Sequence, residues 1–336
     1  MPEKLIRLQH LLGKWLKVRW IGFISVMVII LLLSFFIIGI WQASNQILFP
    51  KWKGITKDFM ECSLEGEKLW GKFCGNIRLT KEFEFKEVSI HSVNGYDLPG
   101  WLVPAYDNGI VLKKGVILLV HGGGADRREL TRMIPFYLRQ GFDVLSFDLS
   151  CHGEAPCQFP GLSFGNRESR DVLSAYLYLS KKYNHILMMG SSVGASSILI
   201  SLPFLEEVEG IILENPMLSF QRLILDSPES ASLPNWMVQS LIELVLIRGK
   251  FDTLLSPENS LPLARNVPLL IIHSKKDSVV PYKHSMSLTK LYSGPSEVWF
   301  PDLGSHGSIW ETNQSEYETR VLKFIHRNTN KKKESR

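Results

Sequence analysis

Four cysteines in 336 residues are too few for a disulfide-stapled scaffold. Charged residues reach only 21% against 45% hydrophobic ones, which excludes a disordered chain. Basic residues are scarce where a nucleic-acid binder needs them. The formal net charge is +5, but ten of the 38 Lys and Arg sit at the two ends: Lys4, Arg7, Lys14, Lys17 and Arg19, then Arg327, Lys331, Lys332, Lys333 and Arg336. Setting these aside with Glu3 and Glu334 leaves 28 basic against 31 acidic residues, a net of −3. A mildly acidic body lacks the basic stripe that binding to a phosphate backbone requires, so no nucleic-acid partner is expected. No internal repeat, metal-ligand cluster or nucleotide-binding glycine loop is visible, so no cofactor is expected. The length suits one large or two ordinary domains.

What is present begins with a run of twenty uncharged residues, IGFISVMVIILLLSFFIIGI, at 21–40. As a helix it spans about 30 Å, the thickness of a bilayer's hydrocarbon core. Trp20 and Trp41 flank it where interfacial indoles sit. A buried core helix is rarely apolar on every face over this length. A cleaved signal peptide would carry a shorter apolar run, and a cut after Ala43 would put Trp41 at −3, where a small residue is needed. An uncleaved anchor is therefore expected. The five basic residues before it keep 1–20 cytoplasmic and send the rest across, so the next basic residue, Lys51, falls on the exported side. Leu5, Ile6, Leu8, Leu12 and Leu16, spaced among basic residues, fit an interfacial helix at the inner leaflet as well as a plain cationic flank.

Residues 41–81 read as a linker or N-terminal extension, with Trp52 and Trp70 marking some packing. From 82 a pattern emerges. FEFKEVSIH (83–91) and YDLPGWLVP (96–104) flank Asn94-Gly95, a hairpin with a type I′ turn signal. Strands are expected at 115–122, 142–149, 185–190, 210–216, 267–274 and 296–302, with helices at 126–140, 166–183, 193–202 and 311–327. Alternation of this kind predicts an α/β fold, a mostly parallel sheet with helices on both faces. Residues 217–262 are apolar without a strand-like block and read as a helical lid. Residues 328–336 are a basic tail.

Gly190-Ser191-Ser192-Val193-Gly194 fits G-x-S-x-G between a strand and a helix, the context in which a sharp turn lifts the central hydroxyl above a sheet. Ser192, not Ser191, is central and is the candidate nucleophile. Partners follow in the order acid, then histidine. Asp277 lies past the strand VPLLIIHS and His306 past SEVWFPD, where open α/β sheets gather ligands. Asp252, in the lid, and Asp302, four residues from His306, are the rival acids. His121-Gly122-Gly123-Gly124 follows an early strand and offers a second oxyanion donor. The expected donors are the amides of Gly123 and Val193, with Gly124 a near competitor, while His121 is expected to brace the loop.

VNGYDLPGWLVPA, VHGGG, FDLSCHGEA, GSSVGA, HSKKDSVVP and GSHGS stand in this order over residues 82–327, and the chain resembles α/β-hydrolase-superfamily serine hydrolases. It looks most like membrane-anchored abhydrolase-domain members and the related prolyl-oligopeptidase-like group. The resemblance implies Ser192 as nucleophile, His306 as base, Asp277 as its orienting acid, and Gly123 and Val193 as oxyanion donors. Cys151 stands where the family often has Gly before His152. The roughly 80 residues ahead of the domain cannot hold a β-propeller. HGGG is also similar to hormone-sensitive-lipase-like esterases, which FDLSCHGEA fits poorly.

The expected function is a membrane-anchored hydrolase of carboxylic esters or thioesters acting on an acyl, small-molecule or lipid substrate. A peptidase or amidase and a non-catalytic membrane-tethered binding module are the alternatives. An exported domain can keep disulfides, and Cys62 with Cys74 and Cys151 with Cys157 would close only short loops. Four unpaired thiols are the alternative.

Overall fold

The computed structural model describes residues 2–50, 59–106, 113–158 and 161–329, with the side chains of 2–13 and Glu65 left aside. Lys51, Trp52 and the tail from 330 onward lie outside the described residues, as do the side chains of Leu5, Ile6, Leu8 and Leu12 of the expected inner-leaflet face; Leu16 is exposed.

Among the described residues, eight strands form one sheet: β1 (Lys86–His91), β2 (Asp97–Val103), β3 (Gly115–Val120), β4 (Phe142–Phe147), β5 (Ile186–Ser191), β6 (Gly210–Glu214), β7 (Leu269–Ile272) and β8 (Ser296–Trp299), in the order β1-β2-β4-β3-β5-β6-β7-β8. The β1–β2 and β2–β4 pairs are antiparallel and every later pair is parallel. The central strands β3, β5 and β6 are buried almost throughout because helices cover both faces, which is why they read as unbroken apolar runs. Among the described residues, α1 (Pro2–Leu48) precedes the sheet, and the helices that pack on it or follow its strands are α2 (Ile134–Arg139), α3 (Glu168–Ser180), α4 (Val193–Ser201), α5 (Phe220–Leu225), α6 (Asn235–Gly249), α7 (Lys283–Leu291) and α8 (Ile309–Thr329); a seven-residue helix at Leu64–Trp70 and several single turns lie between them. Val172, Leu179, Ile198, Leu199 and Leu288 of α3, α4 and α7 pack on one face of the sheet. Ile134, Leu138, Val321 and Phe324 of α2 and α8 pack on the other.

Several sequence expectations need correction. The β1–β2 connection is not a type I′ turn, which requires positive φ at both central residues; Gly95 has φ +85, but Asn94 is not in that region. Instead Ser92 and Tyr96 close a wider loop by the Ser92 N–H to Tyr96 carbonyl bond, while Asn94 Nδ2 donates to Asp171 at 3.1 Å. The helix expected over 126–140 is regular only from Ile134, after a single tight turn at 131–133. Residues 126–129 are committed elsewhere: the Arg127 N–H donates to Asp148 at 2.8 Å, and Glu129 accepts from the Gly122 N–H at 2.6 Å. Residues 41–48, the start of the stretch read as a linker or N-terminal extension, continue α1. The stretch 217–262 carries α5, α6 and two single turns, but Leu261 at its end belongs to the main core. Helix α7 was not anticipated, since KHSMSLTKL is mostly polar and shows only a narrow apolar stripe.

Both short-range cysteine pairs are disulfides, with Cα separations of 5.5 Å for Cys62–Cys74 and 4.2 Å for Cys151–Cys157. The first pins the N-terminal extension, and Cys74 and Trp70 pack on Ala125 in the loop after β3.

Candidate active site

The turn from β5 to α4 holds Ser192 at φ +50, ψ −111, a region that side chains rarely occupy. Its flanks must be glycine. A methyl built on Gly194 would lie 2.3 Å from the Val120 carbonyl oxygen, and one on Gly190 would lie 2.7 Å from the Ala195 nitrogen. The Ser192 N–H is fixed by the Glu214 carbonyl at 2.8 Å, so β6 holds the turn from the side.

Three sequence candidates meet here. His306 Nε2 lies 2.8 Å from Ser192 Oγ, and its Nδ1 lies 2.7 Å from Asp277 Oδ2. The loop after β7 aims Asp277 by giving its Oδ1 two backbone donors, Val279 N and Val280 N, each at 2.8 Å. The side chain of Asp277 is wholly buried. Burial by itself raises this carboxyl; hydrogen bonds from His273 and His306, the nearby His306 charge and the Val280 amide outweigh it and hold Asp277 well below the ordinary carboxylate range. An ionised Asp277 selects the His306 tautomer with hydrogen on Nδ1, leaving Nε2 to accept from Ser192.

The rival acids go elsewhere. Asp302 pairs with Lys275 Nζ at 2.8 Å in the open. Asp252 caps its own turn, accepting from Leu254 N at 3.0 Å, and its backbone bonds the Asn166 side chain. Ser191 ends β5 and is 5% exposed.

The glycine loop after β3 lies against the turn. A methyl on Gly123 would come within 2.7 Å of Val193 Cγ2, and one on Gly122 would be 3.6 Å from Ser192 Cβ. The amides of Gly123 and Val193 have no hydrogen-bond acceptor among the described residues. His121 is buried; Nδ1 donates to the Gly122 carbonyl at 2.7 Å and Nε2 accepts from Leu149 N at 3.0 Å. Both bonds need the neutral ring, and burial together with His152 lowers its pKa well below the usual value. His121 therefore fastens the glycine loop to the β4 end.

Four contributors escaped the sequence reading. Glu129 holds the Gly122 N–H from below, and burial raises its carboxyl despite that bond and Arg132. Asn215, at φ +48 after β6, donates from Nδ2 to the His306 carbonyl at 2.5 Å. Ser274 holds the same loop through the Gly304 carbonyl at 2.7 Å. His273, at the end of β7, lies behind Asp277. Each is a common polar residue with no motif of its own; the positive φ at a non-glycine Asn is invisible in sequence. Cys151, at the family's glycine position, has φ +63 and so keeps the left-handed turn that glycine would supply. Leu162, Val193, Met217, Leu223 and Val280 form an apolar cluster where the glycine loop meets α5.

The pattern of the Alpha/beta hydrolase family matches residues 117–318. The uncharacterised protein YqkD of Bacillus subtilis is 25% identical over 294 residues, covering 84% of this chain and 90% of its own length. Among solved structures, the Pyrococcus furiosus esterase Pf2001 superposes with a TM-score of 0.58 at 22% identity, over 74% of this chain and 94% of that one. The Pyrococcus horikoshii acylaminoacyl peptidase superposes at 0.53 and 17% identity, over 75% of this chain and 43% of that one.

Proposed function

The chain belongs to the Alpha/beta hydrolase family, and we propose that it is a membrane-anchored serine hydrolase that cleaves carboxylic ester or thioester bonds. The observation that carries this reading is the unbroken line from Ser192 Oγ through His306 to Asp277, at 2.8 and 2.7 Å. Ser192 Oγ attacks the substrate carbonyl carbon as His306 Nε2 takes its proton, and Asp277 stabilises the imidazolium without being protonated. Charge on the carbonyl oxygen is met by the amides of Gly123 and Val193, each worth roughly 3–4 kcal/mol in such a site. The tetrahedral adduct collapses as His306 passes its proton to the departing alcohol or thiol. An acyl-Ser192 remains, and a water deprotonated by His306 releases the acid.

The apolar cluster around Leu162 and Val193 favours an acyl group on the substrate. An esterase among the similar folds supports the ester reading, and a peptidase among them makes amide cleavage the reading to test against it. Residues 21–40 serve as the anchor, with 1–20 cytoplasmic and residues 41–336 on the opposite side. Two disulfides suit that compartment.

A fluorophosphonate probe applied to the full chain in detergent should label Ser192 alone. Ser192→Ala should abolish labelling and lower ester turnover by about 10⁴ or more while the protein stays folded, whereas Ser191→Ala keeps both. A panel of matched esters, thioesters and amides then ranks the substrate classes. Amides turned over as fast as esters would replace this reading with a peptidase.

A further inference from the structure

The lid is fastened to the anchor. Helix α6 runs beside the carboxy-terminal part of α1, and both advance in the same direction. Trp236, in its first turn, packs on Phe36 with ring centroids 5.0 Å apart. Just over three turns later, the Arg248 guanidinium stacks 3.7 Å over Trp41, bonds Ser44 Oγ, and donates to Asn45 Oδ1 at 2.5 Å. Leu48, which ends α1, is buried among Val238, Ile242, Val245 and Leu246 of α6.

This contact fixes a depth. With residues 21–40 taken as the span proposed above and Trp41 at its interface, Phe36 lies about 7–8 Å inside at 1.5 Å per residue. Trp236 touches Phe36, so it lies at that level too. The neighbouring chain is suited to it. No charged residue occurs between Glu229 and Glu243, thirteen positions that read SASLPNWMVQSLI. Leu233 and Trp236 project outward there, 44% and 60% exposed in the protein alone. Glu243 is the first charge on the outer side of α6, about 10 Å further along the helix than Trp236. That returns it to the level of the headgroups.

We infer that the tip of the lid, residues 230–242, is a lipid-docking surface seated in the outer leaflet of the same bilayer that holds α1. It rests on the reading of 21–40 as a span. The occupant is lipid rather than a protein, because the patch is continuous with the anchor and lies below the anchor's own interfacial Trp41. The geometry also brings the bilayer to the site. The Leu48 carbonyl accepts from Leu162 N at 2.7 Å, and Leu162 packs against Val193 and the glycine loop. One residue thus separates the end of α1, about 10 Å outside the level of Trp41, from the wall beside Ser192, so the site opens close to the membrane surface in which an acyl ester or thioester resides.

All four cysteines are paired, so an added one is the sole free thiol. The full chain is reconstituted in phosphatidylcholine vesicles with an environment-sensitive fluorophore at Leu233→Cys, at Ser25→Cys within the span, or at Asn184→Cys, on the exposed loop entering β5, at the opposite end of that strand from Ser192. Lipids carrying a doxyl group on the acyl chain should quench positions 233 and 25 and leave 184 bright. Quenching at 25 but not at 233, with 233 open to aqueous iodide, overturns the proposal and keeps the anchor. A probe at 233 shielded from both quenchers overturns it in favour of a second copy of the chain. Loss of quenching at 25 removes the span itself and the proposal with it.

Discussion

His273 Nε2 lies 3.3 Å from Asp277 Oδ2, the same oxygen that His306 meets at 2.7 Å. Its Nδ1 faces Ser285 Oγ at 2.7 Å and its Nε2 also faces the Val280 carbonyl at 2.8 Å. Hydrogen on Nε2 therefore serves both Val280 and Asp277, and His273 acts as a positioning residue for the acid. His273→Phe removes that donor. A hydrogen bond to a charged group is worth roughly 1.5–3 kcal/mol, so kcat/KM should fall about 10- to 100-fold. The Asp277 carboxyl, freed of one donor, becomes a stronger acceptor for His306 and favours its protonated form, so activity should disappear at a higher pH on the acid side. His273→Gln, which can donate, should restore most of the rate. A pH profile of the three proteins checks this; an unchanged acid limb in His273→Phe would show that the imidazole serves packing alone.

Asp277→Asn should lower kcat by about 10⁴, since the amide no longer selects the His306 tautomer. The Val279 and Val280 amides still have an oxygen to bond, so the loop should stay in place. Asp302→Asn and Asp252→Asn should each stay close to wild type, because neither side chain reaches His306. Single-turnover rates on one activated ester compare all three. Equal losses at 277 and 252 would make the Asp252 carboxylate part of the reacting group.

The three residues that converge were legible because each sits just past a strand end in the required order, and the strands announced themselves as apolar runs. The supporting residues were not. Asn215 and Glu129 act through a carbonyl and an amide of distant loops, contacts that only the closed sheet creates. The fold was legible for the same reason and misread where local pattern yielded to side-chain bonding. Residues 126–130 carry helix-forming types, yet Arg127 is drawn onto Asp148, at 2.7 Å with both side chains fully buried. Asn94-Gly95 invites a two-residue turn, yet Asp171 accepts from Ser92, Asn94 and Tyr96 and opens it. Helix α1 runs on past the apolar segment because Arg248 and the apolar side of α6 supply partners for residues 41–48 that a bare linker would lack.

Non-reducing peptide mapping should recover 62–74 and 151–157 as the two linked pairs. Closing a loop of about 12 residues is worth roughly 3 kcal/mol in the chain-entropy model. Cys62→Ser with Cys74→Ser should therefore lower the melting temperature clearly, and the loss should be local at first, since Cys74 and Trp70 pack on Ala125, the residue directly after the glycines. Hydrogen exchange over 59–80 in the variant would report it. Unchanged exchange there would show that packing alone orders the extension.

Glu214 supplies the last prediction. Its side chain is buried beneath the Ser192 turn, and burial raises its carboxyl to about 7, offset only in part by the Tyr317 hydroxyl and Arg132. A carboxyl whose folded pKa exceeds its unfolded value favours the protonated form in the fold. Its stabilisation is fully present below about pH 4.5 and is lost as pH rises through about 7. The gap is on the order of 3 kcal/mol. Glu214→Gln keeps a neutral group of the same shape, and Ser192 N bonds the backbone of 214, which the substitution leaves alone. The variant should be more stable than wild type at pH 8, by roughly 1–3 kcal/mol, and nearly equal at pH 4.5. Asp148, also raised to about 7 by burial against the opposing charge of Arg127, should leave a residual slope in both proteins. Urea unfolding at the two pH values measures the difference. A variant with the full wild-type slope would assign the titration to the other buried carboxyls that burial raises, Asp148, Glu129 and Asp171, and leave Glu214 ionised in the fold.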